Sequence, residues 1–115
     1  MQKAFKYWSD ISSFRFEEVL SNKNSDLVIE FTKQDHKDGY PFDGKGGDLA
    51  HAFFPSDGRI HFDSDEFFTI NKTDYNLRMV AAHEIGHVLG IDHIFEPGSL
   101  MNPYYNGYID GSPIT

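Results

Sequence analysis

The segment with the narrowest choice of folds is residues 83–93, which read His-Glu-Ile-Gly-His-Val-Leu-Gly-Ile-Asp-His. His83 and His87 stand four positions apart, so an α-helix stacks both imidazoles on one face, where they can share a zinc ion. Glu84 follows His83 and projects beside the metal, within reach of a proton on a bound water. Gly90 can take a left-handed backbone that ends the helix at little cost and turns the chain, so that His93 reaches the same ion. Three neutral imidazoles leave a fourth position for water, the open arrangement of a catalytic zinc. An amphipathic helix with incidental histidines accounts for His83 and His87, but not for Gly90 and His93 at these offsets.

The remainder of the composition supports a metal-dependent fold. The chain has 115 residues and no cysteine, with eighteen acids against ten Lys+Arg and a formal net charge of -8. That length fits one domain, residues 1–115. No disulfide framework is available, and a chain of this size buries a modest core, so bound metals are the remaining staple. The negative charge argues against nucleic acid or an anionic membrane surface as partner. No apolar run approaches the length of a membrane span, and no signal segment opens the chain.

Periodicity predicts an α+β chain. Residues 3–9 read as a helix with Ala4, Phe5 and Trp8 inward, and residues 14–19 as a short strand carrying Phe14, Phe16 and Val19. Leu27, Val28, Ile29 and Phe31 give a half-buried strand over 26–31. Residues 35–48 form a long irregular loop, and loops of that length in compact domains are usually functional or disordered. Two short strands follow, 49–54 and 60–63, with a turn at 55–58. The pattern over 73–89 is helical, with Thr73 or Asp74 as N-cap. From residue 96 the chain is turn-rich. Phe53, Phe54, Phe67 and Phe68 are expected as core and cleft walls.

A second set of ligand-type residues lies upstream. His36, Asp38, His51 and His61 offer three imidazoles and a carboxylate, a closed set suited to structural zinc. Asp43, Asp63 and Glu66 are hard oxygen donors, and the glycine-rich 44–48 segment can turn carbonyls toward calcium. Taken one at a time, these are ordinary loop residues.

The motif at 83–93 resembles the zinc motif of the metzincin metallopeptidases. Eight residues on, Met101 lies in Ser-Leu-Met-Asn-Pro-Tyr-Tyr (99–105), which resembles the Met-turn of the matrixins, the matrix metalloproteinase family. The resemblance implies a metzincin-like twisted mixed β-sheet with an active-site helix, a partial N-terminal helix and metal-stabilised loops. It implies a zinc endopeptidase with His83, His87 and His93 on catalytic zinc, Glu84 as general base and Met101 as an apolar floor. By the same resemblance His36, Asp38, His51 and His61 hold structural zinc. Calcium falls to the side chains of Asp43, Asp63 and Glu66 and the carbonyls of Gly44, Gly46 and Asp48. Leu49 and Ala50 lie on an edge strand that pairs with substrate, Pro103 and Tyr105 line the pocket for the residue after the cut, and Met79 sets its depth. An adaptable Met there favours Leu-like side chains.

The family's first strand, first helical turns and final helix have no counterpart in residues 1–115. The resemblance therefore implies an incomplete domain, completed by missing termini or a partner chain, with an extracellular location and a protein or peptide substrate. The competing expectation is a catalytically incompetent zinc- and calcium-binding module or fragment. Ile94 stands where the family has a small polar residue. Asn71-Lys72-Thr73 fits an N-glycosylation acceptor.

Overall fold

The computed structural model describes residues 2–19, 25–32, 49–66, 68–70 and 75–105. It opens with helix α1, Gln2–Ser9, which turns Ala4 and Trp8 into the core. Strands follow at β1 (Val28–Thr32), β2 (Ala50–Ala52), β3 (Arg59–Asp63), β4 (Phe68–Thr69) and β5 (Tyr75–Asn76), and then helix α2, Leu77–Val88. A three-stranded sheet has the order β1-β3-β2, with β1 parallel and β2 antiparallel to β3. The fold is therefore α+β, as periodicity predicts, and its sheet is mixed, as the resemblance implies.

The central strand is buried on both faces, which a two-sided packing environment demands. Ile60 and Phe62 join the apolar core with Ala81, Ile85 and Val88 of α2, while His61 and Asp63 alternate to the opposite face and are buried there as well. At the end of the 53–58 turn, Gly58 takes φ +77, and a Cβ there would collide with the carbonyl oxygen of Asp26. Helix α1 is fastened to α2 by the Trp8 indole, whose Nε1–H donates to the Ala82 carbonyl at 2.8 Å.

Two sequence expectations are corrected. Residues 14–19 are not a strand; Phe16 folds onto Phe5 with ring centroids 4.8 Å apart, and Phe14 and Val19 are exposed. Alternation supplies a face for burial, but a strand also needs a hydrogen-bonding neighbour. None stands beyond β1 among the described residues.

The helix expected over 73–89 begins at Leu77, because Tyr75 and Asn76 pair with Phe68 and Thr69 as the two-stranded β4–β5 sheet. Asn76 is the N-cap: its backbone is extended and its side chain accepts from the Met79 N–H. The expected caps Thr73 and Asp74 lie outside the described residues, as do Asn71 and the side chain of Phe67.

Candidate active site

The end of α2 builds the site. His83 and His87 stack one turn apart, and the helix then stops in a paired hydrogen-bond motif. The Gly90 N–H donates to the His87 carbonyl and the Ile91 N–H to the Gly86 carbonyl, both at 2.9 Å. Gly90 reaches φ +101, which a residue with a Cβ resists. The chain therefore doubles back and carries His93 to its partners.

His87 Nε2 lies 3.1 Å from His83 Nε2 and 3.2 Å from His93 Nε2. Three nitrogens bound tetrahedrally at zinc's ordinary bond length would stand about 3.3–3.4 Å apart, so the spacing fits that ion. The tautomers fit too. His83 Nδ1 faces the Leu100 carbonyl at 2.7 Å, and His87 Nδ1 faces the Ile91 carbonyl at 2.8 Å. A carbonyl oxygen only accepts, so each Nδ1 carries the proton and each Nε2 presents a lone pair. Lone pairs aimed at one point are a cation site. Burial reinforces this, pushing the pKa of His83 down to about 4 and lowering that of His87, so that both are neutral at pH 7. Among the described residues, these three histidines form the one group able to hold a metal ion.

The segment after His93 supports the triad from below. Leu100 supplies the carbonyl for His83, and Met101, 3% exposed, packs its thioether against α2. A Cβ on Gly86 would lie 2.7 Å from Met101 Sδ and 2.9 Å from Trp8 Cζ2. Gly86 is therefore a close-approach position between the two helical histidines. The Ile94 N–H closes the loop on the Met101 carbonyl at 2.9 Å.

His83, His87, His93 and Glu84 line a cleft of about 700 Å³. Glu84 is 6% exposed. The residues expected to meet substrate, Leu49, Ala50, Met79, Pro103 and Tyr105, line the same cleft. Strand β2 forms one border, hydrogen-bonded to β3 on one side only within its sheet. Sequence reasoning names Phe54 as a wall and leaves out two aromatic lining residues, Tyr75 and Tyr104. Phe54 stands edge-on to His87 with centroids 5.6 Å apart, Tyr75 meets Tyr105 edge-on at 5.4 Å, and Tyr104 is 79% exposed. Tyr75 had a signal, an aromatic before the cap of α2, hidden by placing that cap too early.

Part of the upstream set is also described. His51 and His61 are direct cross-strand partners in the β2–β3 register, with His51 Nε2 3.0 Å from His61 Nδ1. Asp63 is fully buried and Glu66 is 8% exposed. One Asp63 carboxylate oxygen accepts from the Asp65 N–H at 2.9 Å. His36, Asp38, Asp43, Gly44, Gly46 and Asp48 lie outside the described residues.

Comparison with known proteins agrees with the geometry. The family model for the matrixins, Peptidase_M10, matches residues 1–114. Human matrix metalloproteinase-17 is 46% identical over 121 residues, covering 99% of this chain and 20% of that protein. Interstitial collagenase from Sus scrofa is 50% identical over 108 residues, covering 91% of this chain and 23% of its own length. Karilysin from Tannerella forsythia is 47% identical over 113 residues, covering 93% and 24% respectively. The chain thus spans about a fifth to a quarter of the relatives it matches. With the matched region covering nearly the whole sequence, the chain belongs to the matrixin family of metallopeptidases.

Proposed function

We propose that this chain is the catalytic part of a zinc-dependent endopeptidase that cuts extended polypeptides. The observation that carries the reading is the convergence of three imidazole Nε2 atoms at one wall of a cleft, with Glu84 on the same wall. His83, His87 and His93 hold the catalytic ion. When bound, zinc supplies Lewis-acid chemistry, polarising a carbonyl and acidifying water.

The chain's own groups do the rest. The edge of β2 away from β3, with Leu49 and Ala50, pairs with an extended peptide through main-chain hydrogen bonds, which suits a sequence-tolerant substrate. Met79, Pro103 and Tyr105 receive the side chain after the cut bond. Glu84 takes a proton from the attacking water and returns it to the departing amine. The Leu100 and Ile91 carbonyls fix the tautomers of His83 and His87 throughout, and Met101 holds the floor.

A structural zinc on His36, Asp38, His51 and His61, and calcium on Asp43, Asp63 and Glu66 with the carbonyls of Gly44, Gly46 and Asp48, complete the reading. The adjacent His51 and His61 nitrogens and the burial of Asp63 and Glu66 support it, since buried carboxylates call for a compensating cation or hydrogen bonds. Family membership and the proposed calcium ions support a location outside the cell. No described helix is long and apolar enough to cross a membrane.

A second reading, a metal-binding module without turnover, is favoured by the lack of a strand beyond β1 in its sheet among the described residues. Glu84→Ala separates the two. In the endopeptidase, this variant keeps its zinc and loses peptide cleavage by at least about a thousandfold. A zinc-loaded Glu84→Ala chain that cuts at the parent rate contradicts the general-base role, and a zinc-loaded parent chain that cuts nothing supports the module.

A further inference from the structure

We infer that the Tyr105 hydroxyl is a positioning group that clamps the start of α2 and so fixes the size of the pocket around Met79. The inference rests on the endopeptidase reading for its substrate, but its geometry stands separately. The Asn76 N–H donates to Tyr105 Oη at 2.9 Å, across 29 residues of sequence. Asn76 is 1% exposed, and its side-chain Oδ1 accepts from the Met79 N–H at 3.2 Å.

One buried residue is thereby tied in two directions. Its backbone holds the pocket wall at Tyr105, and its side chain holds the first turn of α2 at Met79. Tyr75, Met79 and Tyr105 all line the cleft, and the two tyrosine rings cross edge-on at 85°. The N–H groups at a helix start lack intrahelical partners, so a buried one without an acceptor would draw in water or shift the helix. The Tyr105 hydroxyl removes that need. Being engaged at Asn76, it leaves the pocket bounded by ring faces and a thioether, which suits an apolar side chain of fixed size. Without the hydroxyl the wall retains its ring but not its anchor, and the pocket becomes adjustable. Tyr105 thus acts on selectivity through Asn76 and Met79, beyond serving as a wall.

The test uses the zinc-loaded 115-residue chain and its Tyr105→Phe variant on two peptides that differ only after the cut bond, leucine in one and tryptophan in the other. The ratio of their kcat/KM values does not depend on how much enzyme is folded. We expect the leucine preference to fall by about three- to tenfold in the variant. Amide hydrogen exchange at Asn76 should speed by about tenfold or more. An unchanged kcat/KM ratio, with or without a lower unfolding temperature, would reduce Tyr105 to a structural role and overturn the inference. Unchanged exchange at Asn76 overturns it as well. The exchange measurement decides the clamp even if the parent chain cuts neither peptide, a result that counts against the endopeptidase reading instead.

Discussion

Two histidine clusters in this molecule are assembled by different rules. His83, His87 and His93 come from eleven consecutive residues, and helix periodicity plus one glycine turn are enough to bring their Nε2 atoms to 3.1–3.2 Å. His51 and His61 come from two strands and meet because antiparallel pairing puts them directly opposite each other. Slipping that register by one residue would send one imidazole to the other face. The first site is written locally and the second depends on the sheet. The first is therefore suited to chemistry that needs fixed geometry, and the second to holding distant segments together.

The largest expected effects break the two sites separately. His87→Ala removes the nitrogen common to both short contacts, so it should release one zinc per chain and lower peptide cleavage by at least about a thousandfold. Metal analysis beside a rate assay checks both. His51→Ala should also release one zinc but act on stability, lowering the thermal midpoint by about 10 °C or more while the folded fraction still cleaves. Equal losses of activity per folded molecule in the two variants would erase the distinction.

A second comparison sets the histidines against the packing that supports them. Gly86→Ala drives a methyl group toward Met101 Sδ and the Trp8 ring. The thioether can swing aside, but Trp8 is held by its bond to Ala82. The expected cost is about 2 kcal/mol, read by chemical denaturation of the zinc-loaded chain. Asn76→Ala removes the side-chain cap of α2 and should cost about 1 kcal/mol by the same measurement. At the far end of the scale, Lys6 of α1 and Asp10 just beyond its end form an exposed ion pair at 2.9 Å. Asp10→Ala should change stability by no more than about 0.5 kcal/mol and leave cleavage untouched.

The same local and non-local divide explains what the sequence revealed. The triad and the glycine turn are readable because spacing alone sets their relative positions, whereas the floor at Met101 is readable only through the family resemblance. The α+β class and the paired strands around His51 and His61 are readable from alternation. The strand expected at 14–19 is absent because alternation does not supply a neighbour to bond with. The start of α2 was misplaced because Tyr75 and Asn76 are held by β4 and by Tyr105, contacts that helical periodicity does not encode. Gly86 carries no signal of its own in the motif, and only the approach of Trp8 and Met101 shows why a side chain does not fit there.

The central claim, that the triad holds a zinc ion which makes this cleft a peptidase, is tested most directly by stripping and restoring the metal. The 115-residue chain is treated with a chelator, dialysed with calcium present, and assayed on an internally quenched extended peptide before and after zinc is returned. The account predicts that cleavage disappears with the zinc and returns with it, while His87→Ala stays inactive under the same restoration. Cleavage that survives complete zinc removal, or a chain with zinc bound at His83, His87 and His93 that leaves the peptide intact, would contradict it.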